Sequence, residues 1–242
     1  MNRAPVAVVI GAGDATGSAV ARRFAKEGFT LCVTRRSVEK LSALVSDIEA
    51  AGGVVKPFGC DARVEQEMVE LFAHIEKDIG PIEVVVFNIG GNVHFSLLDT
   101  TERVYRKVWE MGALSGFLTG REAAKVMIPR EKGTIIFTGA TASVRGAKGF
   151  SAFASAKFAL RALAQSMARE LGPAGIHVAH TIIDGVIDTA FIRDNFPERY
   201  ALKDQDGILN PEHIAEQYWQ LHRQPKDCWT HELDLRPWLE TF

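Results

Sequence analysis

The sequence predicts an α/β fold with a doubly wound parallel sheet of about seven strands and helices on both faces. Short β-branched segments alternate with longer segments of helical periodicity along the chain. The strand-like segments are almost continuously apolar, which is typical of parallel strands buried on both faces. Right-handed crossovers between such strands give a Rossmann-type topology. No linker, repeat or low-complexity tract interrupts the pattern, so residues 1–242 are predicted to form a single domain.

Each element follows from the local spacing of apolar residues and from residues that begin or end helices. Gly28 ends the first helix, glycines at 52–53 end the second, and Pro211 begins the last. The predicted strands are 6–10, 30–34, 54–58, 83–88, 134–139, 177–183 and, at the sheet edge, 230–235. The predicted helices are 18–28, 38–53, 64–80, about 101–128, 151–172 and 211–224.

Composition and charge argue against several classes of function. Of the 242 residues, 47% are hydrophobic and 24% charged, and the net charge of −2 gives no general attraction to nucleic acid or to an anionic membrane. No apolar run reaches the roughly 18 residues of a membrane span. Three distant cysteines show neither metal-ligand spacing nor a disulfide framework, and we expect no secretory signal. We therefore expect a cytoplasmic protein without a metal site.

A glycine-rich turn follows the first predicted strand. Residues 11–17 read GAGDATG, which places Gly11, Gly13, Ala15 and Gly17 between the strand and the first helix. Glycines at such a turn let the chain bend tightly and let a diphosphate approach the amide groups at the helix N-terminus. The spacing is G-x-G-x-x-x-G rather than G-x-G-x-x-G, and a purely structural turn is the alternative interpretation.

Two arginines at the end of the second strand indicate which cofactor is preferred. An NAD(H) site has an acidic residue about 20 residues after the turn, which accepts from the ribose 2′-hydroxyl. Here Arg35 and Arg36 follow Thr34, and two guanidinium groups suit a 2′-phosphate. The prediction is NADP(H) in preference to NAD(H), with a solvated basic loop as the alternative. The missing acid also argues against a methyltransferase.

Together with the glycine turn, three further segments resemble motifs of the short-chain dehydrogenase/reductase family over nearly the whole chain. The resemblance implies that Asp61 holds the adenine amino group and that Thr189 contacts the nicotinamide amide. Asn88 and Gly90 match the family's NNAG element after the fourth strand. The three segments are CDAR at 60–63, FNIGG at 87–91 and DGVIDT at 184–189. Departures from the family's pattern stand at Ile10, Ala15 and Asp184.

The resemblance implies a catalytic set of Asn, Ser, Tyr and Lys, of which this chain keeps the lysine. In the family, the tyrosine gives a proton to the substrate carbonyl, the serine hydrogen-bonds the same oxygen, and the asparagine holds a relay water. Here the Tyr-x-x-x-Lys pair becomes Phe153 and Lys157, the serine position is Ala140, and the asparagine position is Gly112. Phenylalanine cannot act as a general acid, a role that supplies about 10²–10⁴-fold in rate. Without the family match, this apolar helix reads as a core or interface face.

Other groups near these positions are candidate proton donors. His94 follows the NIGG element, and histidine is a residue type suited to proton transfer near neutral pH. Thr141 and Ser143 lie close in sequence to the missing serine. An exposed loop histidine and ordinary loop hydroxyls are the alternative interpretations. Lys157 itself either supplies a proton or only holds the ribose hydroxyls.

Two functions are compatible with these residues. One is an NADP(H)-dependent oxidoreductase that acts on a small molecule, a carbonyl, alcohol or enone, with altered acid–base machinery. The other is a catalytically inactive NADP(H)-binding pseudoenzyme with a sensor or assembly role. The segment 190–210 is predicted to be a substrate lid. For the tryptophans of 228–242, packing over the cleft, packing against a neighbouring subunit and packing in the core are the alternative expectations. The resemblance also implies a homodimer or homotetramer built from the long helices at 101–128 and 151–172.

Overall fold

Seven parallel strands form one sheet in the order β3-β2-β1-β4-β5-β6-β7 in the computed structural model, which describes residues 3–241. Met1, Asn2 and Phe242, at the ends of the predicted domain, lie outside the described residues. The predicted sheet is confirmed, with the last strand at its edge. In chain order the strands are β1 Val6–Ile10, β2 Thr30–Arg35, β3 Val54–Gly59, β4 Ile82–Phe87, β5 Gly133–Thr138, β6 Ile176–Ile183 and β7 Glu232–Leu235.

The helices follow the predicted alternation, with two interruptions. A turn of π geometry extends α3 at Ile75–Ile79, and a second one at Glu110–Leu114 divides the long helix predicted at 101–128. Among residues 3–241, no helix is long and apolar enough to cross a membrane. The helices are α1 Thr16–Lys26, α2 Ser42–Ala50, α3 Glu65–His74, α4 Glu102–Trp109, α5 Ser115–Met127, α6 Ser151–Leu171, α7 Ala190–Asn195, α8 Pro197–Tyr200 and α9 Pro211–Arg223.

Both faces of the sheet are covered, which explains the continuously apolar strands. Every residue of β1 is buried, and successive side chains point to opposite faces. Val8 and Ile10 pack into the core that contains α3, α5 and α6. Ala7 and Val9 pack into the core that contains α1, α2 and α9. A polar side chain in the middle of β1 would therefore be buried on either face.

The strand order places a crevice at the carboxyl edge of the sheet. From β1 the chain moves outward to β2 and β3, and then returns to place β4 on the other side of β1. The loops after β1 and β4 therefore diverge, and ligands of open α/β sheets bind at such a switch point. The glycine turn and the NIGG element are these two loops.

Candidate functional site

Close packing explains two of the glycines in the turn. Gly11 has φ +89°, and a Cβ there would lie 3.0 Å from the carbonyl oxygen of Asn88. A Cβ at Gly17 would lie 2.5 Å from the carbonyl oxygen of Gly11. The Asn88 side-chain amide donates to that same oxygen at 3.1 Å. These residues hold β1, α1 and the loop after β4 against one another.

The third glycine leaves open space for a ligand. A Cβ at Gly13 would meet no atom of residues 3–241 within 4 Å, and this residue lines the crevice. Ala15 is the N-cap residue of α1, and the first turn of this helix contains no acidic residue. The positive end of α1 is therefore open to an anion such as a diphosphate. The turn fits a dinucleotide although its spacing departs from the common fingerprint.

A cavity of about 260 Å³ lies beside the turn, at the carboxyl ends of β2 and β3, and both predicted arginines line it. The half-buried Arg35 donates to Asp14 Oδ1 at 2.8 Å and to the carbonyl oxygen of Lys40 at 3.2 Å. Arg36 is exposed at the edge of the cavity. One guanidinium is thus held by a carboxylate, while the other presents its charge to the cavity.

Asp61 lines the same cavity, but its carboxylate already has a partner. Arg63 donates to Asp61 Oδ1 from Nε at 2.9 Å and to Oδ2 from Nη2 at 2.5 Å. These hydrogen bonds hold the pKa of Asp61 below its ordinary value. Arg63 is not among the residues predicted from the sequence, although its opposite charge two residues from Asp61 is a usable signal. An adenine amino group would meet an ion pair here rather than an isolated carboxylate.

A larger cleft of about 760 Å³ adjoins this cavity and contains three of the four family catalytic positions. Ala140, Phe153 and Lys157 all line it, together with Asn88 and Gly90, which line both spaces. Phe153 is 9% exposed and belongs to an apolar cluster that Ala140 also contacts. The corner of the cleft at these two positions is therefore lined by hydrocarbon.

Lys157 is buried at the base of this cleft. Its Nζ donates to the carbonyl oxygens of Thr138 at 2.7 Å and Ile89 at 3.3 Å, and lies 5.9 Å from the centre of the Phe153 ring. Burial lowers its pKa from 10.5 to about 8. Within residues 3–241, no carboxylate pairs with this amine to offset the loss of hydration. Lys157 therefore loses its proton more readily than an exposed lysine does.

The asparagine position lies outside the cleft. Gly112 is buried in the π turn between α4 and α5, and a Cβ there would lie 2.9 Å from Ala156 Cβ on α6. An asparagine would require these helices to move apart. Close packing between helices therefore disfavours an asparagine side chain at this sequence-predicted position.

The nearby hydroxyl groups have other partners. Thr141 Oγ1 donates to Asp184 Oδ1 at 2.5 Å. Ser143 is fully buried, and its Oγ accepts from a backbone amide of its own turn at 3.1 Å. Asp184 is buried too, with Arg236 Nη2 at 3.3 Å and Arg145 Nη2 at 3.6 Å from its carboxylate. Asp184, in the family's proline position, thus joins an ion cluster at the wall of the cleft. The DGVIDT motif alone does not predict these ion pairs.

His94 and Thr189 do not line the large cleft. The exposed His94 ring packs edge-on against Phe150 at 4.9 Å, with Gly149 beside it. The hydroxyl of Thr189 accepts from the backbone N–H of Ile192 at 3.2 Å and thereby caps α7. Their roles as proton donor and nicotinamide contact stay predictions.

The C-terminal segment reaches both the cleft and the predicted lid. Glu240 lines the cleft, whereas Trp238 is 74% exposed and donates to the carbonyl oxygen of Gln205 at 2.9 Å. Trp229 stacks on His177 with ring centroids 4.9 Å apart. The two tryptophans thus contact the lid and the sheet, while Phe242 lies outside the described residues.

Comparison with known proteins gave consistent matches. A family model described as short chain dehydrogenase matches residues 5–199. A crystal structure of a short-chain dehydrogenase from Rhodopseudomonas palustris is 49% identical, with a TM-score of 0.83 and coverage of 97% of this chain and 99% of that one. The short-chain reductase protein NovJ of Streptomyces niveus is 31% identical over 205 residues, 85% of this chain and 77% of NovJ. An alcohol dehydrogenase from the archaeon Thermococcus sibiricus, solved with 5-hydroxy-NADP, is 25% identical with a TM-score of 0.86 and 99% coverage of both chains.

Proposed function

Because the chain belongs to the short-chain dehydrogenase family, we propose that it is an NADP(H)-dependent oxidoreductase that works without the family's tyrosine. NADP(H), when bound, supplies or accepts the hydride. The substrate is a carbonyl, alcohol or enone compound. The observation that carries this proposal is that Lys157 and the open space at Gly13 face one continuous cleft beside the arginine-lined cavity.

Each part of the cofactor has residues suited to hold it. The N-terminus of α1 and the space at Gly13 suit the diphosphate. Arg36 suits the 2′-phosphate, because its guanidinium is exposed at the cavity edge. The Asp61–Arg63 pair suits the adenine, and Lys157 suits the nicotinamide ribose. The Thermococcus sibiricus enzyme, solved with an NADP derivative, supports this choice of cofactor.

The proton in this proposal comes from Lys157 or from water. An acid with a pKa near the working pH is an efficient donor, and the pKa of about 8 for Lys157 meets this condition. Two backbone carbonyls hold Nζ in place. Of the three substrate classes, an enone depends least on a proton donor in the protein. Hydride would add to its β-carbon, and the resulting enolate would take a proton from water at the α-carbon. The apolar corner formed by Ala140 and Phe153 is compatible with such a substrate.

Nucleotide titration and an activity screen test this proposal. Intrinsic tryptophan fluorescence measures the affinity for NADPH and NADH, and NADPH absorbance follows turnover with ketones, quinones and enones. We expect NADPH to bind more tightly than NADH. Arg36→Gln should weaken NADPH binding about ten-fold or more, the typical loss for a hydrogen bond to a charged group, and leave NADH binding unchanged. Arg106→Gln is the control, because Arg106 is exposed on α4 and lines neither space.

The outcomes separate the two candidate functions. Turnover of any panel compound supports the oxidoreductase. Tight NADPH binding without turnover across the panel supports the alternative, an inactive NADP(H)-binding protein. That alternative is suggested by Gly112, Ala140 and Phe153, which replace catalytic residues of the family. A protein that binds neither nucleotide contradicts both.

We also infer that the protein forms a homo-oligomer through the helices around the cleft. Phe117 on α5 and Phe158 on α6 are each 42% exposed, and Trp109 at the end of α4 is 41% exposed. Burying these rings against a second copy would remove apolar surface from water. Light scattering of Phe158→Asp should show a smaller species than the wild type, and an unchanged mass would contradict this interface.

A further inference from the structure

Two arginines line the large cleft at positions outside the family's catalytic set. Arg145 lies in the loop between β5 and α6, and Arg199 lies on α8 in the predicted lid. One comes from the sheet side of the cleft and the other from the lid side. A ligand in this cleft would therefore meet two positive charges.

Arg145 is oriented by acidic partners, yet its hydrogen-bonding capacity is not used up. Its Nη2 lies 3.6 Å from both Asp184 Oδ1 and Glu240 Oε1, and its Nη1 lies 3.5 Å from the carbonyl oxygen of Thr241. These distances exceed the 2.7–3.2 Å range of good hydrogen bonds. The guanidinium can therefore still donate to a ligand at short range.

Arg199 differs from its neighbours in the lid. Arg193 pairs with Asp194 at 2.8 Å, and Lys203 pairs with Asp188 at 2.7 Å. For Arg199, no carboxylate among residues 3–241 lies within 4 Å, and its side chain is exposed at the cleft. Its charge is therefore available to an anion that enters beneath the lid.

The other residues that line the cleft indicate which kind of anion binds there. Phe150 and Val186 contribute apolar surface to the same cleft, so part of the ligand is hydrocarbon. Glu240 also lines the cleft, and its negative charge disfavours a dianion more than a monoanion. A carboxylate is a planar monoanion that accepts paired hydrogen bonds from guanidinium groups.

Building on the proposed hydride-transfer function, we propose that the substrate is a carboxylate-bearing carbonyl or enone compound. Its carboxylate binds between Arg145 and Arg199, and its hydrocarbon part packs on Phe150 and Val186. This assigns a specificity role to two residues that no family motif contains.

Binding of matched acids and esters tests the inference independently of turnover. Calorimetry measures the affinity of the protein for benzoylformate, levulinate and the methyl ester of each. The titrations are run without nucleotide and again with NADP⁺ at a saturating concentration. We expect at least one acid to bind about ten times more tightly than its ester, as hydrogen bonds to a charged group predict. Arg199→Gln and Arg145→Gln should each remove most of this preference and leave ester binding unchanged. Arg193→Gln, on the same lid but paired and outside the cleft, should leave the preference intact.

Three results would overturn the inference. The first is that neither acid binds more tightly than its ester. The second is that the preference survives Arg199→Gln, a replacement at an exposed position that does not threaten folding. The third is that Arg199→Gln weakens NADPH binding as much as acid binding, which would assign this arginine to the cofactor phosphates. Reduction of esters without acid preference would leave the proposed function standing while the inference falls. Acid preference in a protein that fails to bind NADPH would leave the carboxylate site standing, while the proposed function and the role of the acid as its substrate fall.

Discussion

Lys157→Met should change how stability depends on pH. The amine of Lys157 is buried and pairs with no carboxylate among residues 3–241, so the folded state bears the cost of an isolated charge at low pH. Its pKa in the folded protein is about 8, against 10.5 in the unfolded chain. Methionine has a similar length and no charge, so the variant lacks this titration.

The size and sign of the effect follow from the two pKa values. Below pH 8 the lysine is protonated in both states, and the cost is fully present. Between pH 8 and 10.5 the unfolded chain binds more protons than the folded one, so stability rises with pH. Each pH unit in this window corresponds to about 1.4 kcal/mol, which gives a total of about 3 kcal/mol. The wild type should therefore gain up to about 3 kcal/mol relative to Lys157→Met across this window.

Urea unfolding of both proteins at several pH values from neutral to strongly alkaline measures this difference. Other groups that titrate in the same range are present in both proteins, and their contributions cancel. Lys107→Met, at an exposed position on α4, is the control for loss of a surface amine. If the wild type and Lys157→Met differ by a constant amount throughout, within about 0.5 kcal/mol, then Lys157 is not the desolvated amine described above.

Two further predictions concern residues beside this lysine. Phe153→Tyr combined with Ala140→Ser should raise the rate of NADPH-dependent carbonyl reduction by about 10²-fold or more, since it restores a general acid and an oxyanion donor. Ala140→Ser alone is the control, and an unchanged rate in a folded, NADPH-binding double variant would contradict the role given to Phe153. Gly139→Ala should lower the free energy of unfolding by about 2 kcal/mol, because its Cβ would lie 2.4 Å from His180 Nε2. Gly146→Ala has open space around the new Cβ and should unfold in urea like the wild type; equal midpoints for both variants would contradict the packing argument.

The sheet could be predicted from the sequence because the residue patterns that indicate its strands lie within single segments. Buried parallel strands are apolar along their whole length, and glycines or prolines mark the ends of helices. The sequence predicts β1 with the bounds that the structure has, and the other strands differ from their predicted bounds by one or two residues at one or both ends. The π turn at Glu110–Leu114 was missed, because it lies where Gly112 contacts Ala156 on another helix. Periodicity within one segment carries no information about such a contact.

By itself, the sequence determined the family, the glycine turn and the absence of a hydroxyl at positions 140 and 153. These are properties of residue types at set spacings, and no three-dimensional contact is needed to recognise them. Only the tertiary structure decided that Lys157 is buried with no carboxylate partner among residues 3–241, and that Arg145 and Arg199 face one cleft. Burial and the lining of a cleft depend on which distant segments meet. Helix α6 carries the amine of Lys157 to the carbonyl oxygens of Thr138 and Ile89, and the loop after β5 and the lid bring the two arginines to one cleft.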